Sequence, residues 1–150
     1  MSTVTVRPIA DSDRAAWETL YRGYRDFYAK PHDPAVFDTV WGWLQDPTHE
    51  TRGLIAERDG VAVGMGHFRR FARPIDGGHG LYLDDLFTSA EASGTGAGSA
   101  ILQRLAEIAH DEGATLVRWI TAESNETARS LYDRVATQTP WVTYDLAPAE

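Results

Sequence analysis

The chain has 150 residues, 43% of them hydrophobic and 24% charged, which is the size and composition of one folded domain covering 1–150 and excludes disorder or a fibrous repeat. Its apolar runs are too short to span a bilayer, its first residues (MSTVTVRPIADSD) have no basic start and apolar stretch, and it has no cysteine, which excludes a disulfide scaffold, a thiolate zinc site and a cysteine nucleophile. A net charge of −8 argues against a nucleic-acid binder, and it suits either a cationic small partner or plain solubility, so a cytoplasmic protein free of membrane and nucleic acid is expected.

Residues 3–7 (TVTVR) read as a first strand closed by Pro8. Asp11, Ser12 and Asp13 offer helix caps, and Trp17, Leu20, Tyr21, Tyr24 and Tyr28 then recur on one helical face before Pro31. Asp33-Pro34 opens a second helix, with Phe37, Val40, Trp41 and Leu44 as its stripe and Asp46-Pro47 as its end. Residues 53–58 and 61–71 flank Asp59-Gly60, the signal of a β-hairpin. A loop over 73–80 leads to the strand LYLDDLF (81–87), which carries adjacent carboxylates. A glycine-rich connection follows, then a helix over 97–112 stopped by Gly113, a strand over 115–122, a helix over 124–136 capped by Ser124 or Asn125, and a last strand over 141–146. The order β-α-α-β-β-β-α-β-α-β, with one hairpin and strands that precede helices, implies an α/β (α+β) fold with a mixed sheet covered by helices.

The most informative stretch is Ser93-Gly94-Thr95-Gly96-Ala97-Gly98, between a strand and a helix. Alternate glycines let the backbone turn sharply and aim several N–H groups one way, which at a helix N-terminus makes a site for a diphosphate. The other reading is a flexible loop that packs helix on sheet. A P-loop would need a lysine here, and the spacing G-x-G-x-G is not the Rossmann fingerprint.

In order along the chain, VRPIADSD (6–13), LYLDDLFTSAEASGTGAGSAILQRL (81–105) and AESNETARSLYDRVA (122–136) resemble the opening, the acyl-donor segment and the Asn-bearing turn with its Leu-Tyr helix in GCN5-related N-acetyltransferases, the GNAT family. The resemblance covers nearly the whole chain. It implies a GNAT-like acyl-CoA N-acyltransferase fold, acetyl-CoA as co-substrate, transfer to a primary amine by direct attack in a ternary complex, and a homodimer. The chain departs from the family pattern Arg/Gln-x-x-Gly-x-Gly/Ala in having Ser93 first and Thr95 at the variable position, so the loop has no cationic side chain. The usual Gly-Phe after the tyrosine helix is also missing.

By this resemblance, Ser93, Gly94, Thr95, Gly96, Ala97, Gly98 and Ser99 hold the donor's diphosphate through amides and hydroxyls. Leu86, Phe87 and Thr88 lie along its pantetheine, and Asn125, otherwise a helix cap, holds the pantetheine arm. Tyr132, otherwise a core or rim tyrosine, protonates the leaving sulfur, and its phenol stays protonated at neutral pH. Asp84 and Asp85, as neighbours on a flat strand, point to opposite faces, so at most one meets the substrate unless a bulge intervenes. YLDD resembles the YLED segment of amine- and polyamine-acetylating members, which assigns amine binding and proton removal to Asp84, with Asp85 and Glu123 as further substrate carboxylates; the other reading is that either aspartate pairs with an arginine. His67 reads as a hydrogen-bonded structural residue rather than a proton relay. Arg69, Arg70 and Arg73 read as a solvated loop or as reaching a phosphate. No His cluster has metal-ligand spacing, so no metal is expected. Trp43 and Trp141 are candidates for a dimer interface. The missing Arg/Gln leaves a second possibility, a non-catalytic acyl-CoA sensor or partner-binding module on the same scaffold.

Overall fold

The computed structural model describes residues 3–92 and 94–150, with Glu91 described by its backbone alone. The elements are β1 (Thr5–Pro8), α1 (Arg14–Phe27), α2 (Pro34–Gln45), β2 (Arg52–Arg58), β3 (Val61–Arg73), β4 (Gly78–Thr88), α3 (Ala97–Glu112), β5 (Val117–Arg118) and α4 (Glu126–Val135). The strands lie side by side in chain order. The three pairings from β1 to β4 are antiparallel, and β4 pairs with β5 in parallel after the α3 crossover.

Local chemistry explains most boundaries. Asp59 (φ 55°) and Gly60 (φ 76°) both adopt the left-handed region that a two-residue hairpin turn between β2 and β3 requires. Asp33 caps α2 by accepting from the Ala35 amide at 3.0 Å, with Pro34 at the first helical position. Asp13 does not cap α1. Its carboxylate turns back to the Ala10 amide at 2.7 Å and takes both terminal nitrogens of Arg7 at 2.7 and 2.8 Å, closing a 3-10 turn at Asp11–Asp13.

The sheet buries both faces. On one, Trp17, Leu20 and Tyr21 of α1 and Phe37 and Val40 of α2 pack on Ile55 and Met65, which oppose each other in the β2–β3 ladder. On the other, Ile101 and Leu105 of α3 are fully buried, and α3 comes so close that a Cβ on Gly66 would lie 3.3 Å from Ile101.

Three expectations change. The 73–80 loop is mostly strand and a short 3-10 turn, because β3 runs to Arg73 and β4 begins at Gly78. The strand expected over 115–122 is only Val117–Arg118. The strand expected over 141–146 does not form, so the observed order ends at α4. A strand exists only through its ladder, and residues 137–150 have no ladder partner among the described residues. Their β-branched and aromatic side chains remain in solvent, Trp141 75% and Tyr144 88% exposed.

The chain divides into two units, Met1–Ile120 and Thr121–Glu150. The second holds α4, capped by Asn125, and Arg129 reaches both the Glu123 carbonyl (2.8 Å) and Gln138 Oε1 (3.2 Å).

Candidate active site

The adjacent aspartates sit at an irregularity in the sheet. His67 of β3 is paired with Asp85, but the next residue, Phe68, is paired with Leu83, so Asp84 is an extra residue and β4 bulges. The bulge turns both carboxylates to one face. Arg69 stands two residues from His67 on β3 and shares its face; its Nε donates to Asp84 Oδ2 at 3.0 Å, while His67 Nδ1 lies 2.7 Å from Asp85 Oδ2. The expectation of opposite faces holds for a flat strand; the bulge is the exception it allowed.

Behind Asp85 lies a buried polar chain. Trp17 Nε1 donates to His67 Nε2 at 2.8 Å. An indole nitrogen only donates, so Nε2 is an acceptor, the His67 proton sits on Nδ1, and that N–H donates to Asp85. His67 is 2% exposed and neutral in this arrangement, with no free nitrogen to relay a proton. The structural reading of His67 therefore holds.

The two carboxylates are pushed apart electrostatically. Burial disfavours the ionised Asp85, but the donors from His67, Tyr24 and Tyr21 outweigh it and hold the carboxyl below its ordinary value. Burial raises the Asp84 pKa, helped by the Asp85 charge and opposed by Arg69. Burial pushes Tyr21 up to about 12 and raises Tyr24 as well, so both phenols remain donors. Tyr21, Tyr24 and Tyr28 form a row along α1 with ring centroids 5.9 and 4.9 Å apart, leading from Asp85 to the surface. The Tyr24 hydroxyl also lies 3.5 Å from the Asp84 carbonyl oxygen.

The donor segment begins where β4 ends. Leu86, Phe87 and Thr88 are half-buried. Phe87 lies so close to α1 that a Cβ on Gly23 would meet its ring at 2.5 Å. Gly94 (φ 80°) and Gly96 (φ 84°) supply left-handed backbone, and Thr95 closes the turn with its amide (3.0 Å) and hydroxyl (2.6 Å) on the Ala92 carbonyl. The first α3 hydrogen bond runs from Ala100 N to Gly96 O, and among the described residues no side chain caps the helix. The amides of Ala97, Gly98 and Ser99 therefore have no helical acceptor. These free donors at a helix N-terminus fit an anionic, phosphate-bearing group. Ser93 lies outside the described residues.

In the second unit, the Asn125 Oδ1 accepts from the Ala128 amide at 3.3 Å, which commits that oxygen to the helix cap. Tyr132 is half-buried on α4 and Glu123 is exposed just before it. Among the described residues no group of His, Asp or Glu has the geometry to hold a metal. The other arginines are structural in part: Arg73 pairs with Asp76, and Arg69 with Asp84. Sequence reasoning missed Trp17, Tyr21 and Tyr24, reading them as an apolar stripe. The signal was there in the hydroxyls: two tyrosines at least partly buried on one helical face require polar partners.

The acetyltransferase (GNAT) family model matches residues 17–136. A D-amino-acid N-acetyltransferase, HPA3 of Saccharomyces cerevisiae, is 28% identical over 143 residues, 94% of this chain and 89% of its own. A ribosomal-protein-alanine N-acetyltransferase from Brucella melitensis superposes with a TM-score of 0.83 at 22% identity over 97% of this chain and 99% of that one. An aminoglycoside N-acetyltransferase solved with CoA superposes with a TM-score of 0.81 at 16% identity over 99% and 97%. The mixed sheet, the anion-accepting turn at the head of α3 and the family match over four-fifths of the chain agree, and the chain belongs to the GNAT family as an acetyl-CoA-dependent N-acetyltransferase.

Proposed function

We propose that the enzyme acetylates the primary amine of a small cationic substrate or of a lysine side chain, by direct attack in a ternary complex. The observation that carries this reading is the pair Asp84 and Asp85, turned to one face by the bulge and driven to opposite pKa shifts. Acetyl-CoA supplies the acetyl group as a thioester. Asp85, kept ionised by His67 and the two tyrosines, anchors the ammonium. Asp84, the more basic of the two, takes the proton that the amine must lose before it attacks. Tyr132 donates its phenolic proton to the leaving sulfur. The amides at the head of α3 hold the diphosphate, Leu86, Phe87 and Thr88 line the pantetheine, and the Asn125 amide nitrogen steadies its arm. Glu123 is a further carboxylate for the substrate.

Both units are read as one acetyltransferase domain, because the family match runs through the boundary between them. No described helix is long and apolar enough to cross a membrane, and we place the enzyme in the cytoplasm, as a homodimer. The test is release of CoA thiol over a panel of amines. Tyr132→Phe is expected to lower kcat by about 10²-fold or more with little change in CoA affinity, and Asp84→Asn to lower kcat/KM by a similar order. An unchanged rate in Tyr132→Phe removes that residue from its role.

A further inference from the structure

The sheet face that presents Asp84 also presents two guanidinium groups. Arg69 spends its Nε on Asp84 and lies over the Tyr82 ring, 4.9 Å from the centroid. Its two terminal nitrogens have no partner among the described residues. Arg118 of β5 is in register with Tyr82 and so shares its face. Its guanidinium lies 5.9 Å from the Phe71 centroid and has no hydrogen bond or ion pair among the described residues. Phe71 and Tyr82 meet edge to face at 5.9 Å, so both arginines border one aromatic floor. Both also act electrostatically on Tyr82, from the side opposite in sign to Asp84.

The charges matter for what can bind. In a chain of net charge −8, this face is locally balanced: it carries two carboxylates, one of them paired with Arg69, and a second guanidinium on Arg118. One carboxylate already has a cationic neighbour, which makes the face a poor host for a polyamine with several positive charges. A guanidinium edge is suited to a carboxylate, which it binds through paired N–H donors, and stacking on an aromatic ring fixes its plane. We propose that this face is a carboxylate subsite, Arg69 and Arg118 receiving the carboxylate of a zwitterionic substrate whose amine is held by Asp84 and Asp85. The substrate class is then an amino acid rather than a simple amine or polyamine. This rests on the amine-acetylating reading above and narrows it.

The experiment compares kcat/KM for L-lysine with cadaverine, and for D-alanine with ethylamine, in the wild type and in Arg118→Gln and Arg69→Gln. Each pair differs in the carboxylate alone. The wild type is expected to favour the carboxylate-bearing member by tenfold or more, and each variant to reduce that ratio at least tenfold. Arg118→Gln is the cleaner variant, since Arg118 contacts neither aspartate. Calorimetry with CoA is run alongside. A wild type that acetylates cadaverine and ethylamine as well as their partners overturns the subsite and leaves the acetyltransferase reading standing. So does a ratio unchanged within twofold in the variants. If Arg118→Gln instead weakens CoA binding tenfold, the guanidinium serves a donor phosphate and the subsite is wrong. If no amine in the panel releases CoA thiol, both readings fall.

Discussion

At the scale of single residues, the proposed chemistry turns on what holds Asp85. Its carboxylate is kept ionised by a neutral imidazole whose tautomer is set by an indole from another element. Nitrogen chemical shifts of His67 are expected to show a protonated Nδ1 and a bare Nε2. Trp17→Phe removes the donor, leaves Nε2 buried without a partner and is expected to cost about 1–3 kcal/mol in urea unfolding. The linkage to pH has a definite sign. Asp85 has a pKa below its ordinary 3.8, so its contribution to stability is complete above that value and is lost as pH falls through the lower, folded value. Asp85→Asn should therefore destabilise at pH 7, and the gap to the wild type should close in acid. Asp84 has the opposite sign: its raised pKa means that ionisation works against folding, and Asp84→Asn should narrow stability far less at neutral pH. The acid-rich strand was legible from its letters. That both acids share a face was not, because an extra residue in the ladder reverses the parity of every side chain after it.

At the scale of elements, the start of α3 carries the proposed donor site, and local rules govern its geometry. Gly96 serves as the cap residue at φ 84°, where a Cβ costs roughly 1–2 kcal/mol. Gly96→Ala is expected to weaken CoA binding by about the corresponding factor, read by calorimetry. The same assay tests the missing cation: Ser93→Arg should tighten CoA roughly tenfold, because a charge-assisted hydrogen bond contributes about 1.5–3 kcal/mol. No gain would mean another group already neutralises the diphosphate. The bounds of α2 and of the β2–β3 turn were readable because Asp33-Pro34 and Asp59-Gly60 each impose a backbone geometry without help from distant parts. The helix over 97–112 was readable for the same reason, with Gly113 at its end. The strand over 115–122 was drawn too long and the one over 141–146 does not form, because Val, Thr, Trp and Tyr favour a pleated surface only when a neighbouring strand supplies one.

At the scale of the whole chain, residues 141–146 place Trp141, Val142, Tyr144 and Leu146 in solvent, all at least 74% exposed. Trp43 is less exposed and lies flat on His49, with centroids 4.8 Å apart. The homodimer reading predicts a sedimentation mass of twice 16.6 kDa, and Trp141→Ser with Tyr144→Ser should shift it toward the monomer. A monomer in the unaltered protein removes the dimer. The amino-acid sequence alone determined the class of fold, the helices, the hairpin and the glycine turn ahead of α3, because caps, glycines and hydrophobic periods act over a few residues. Only the tertiary structure decided which side chains meet. Trp17 lies 50 positions from His67 and His67 lies 18 from Asp85, and contacts at such separations depend on the register of β3 against β4 and on where α1 settles. No run of neighbouring letters encodes either.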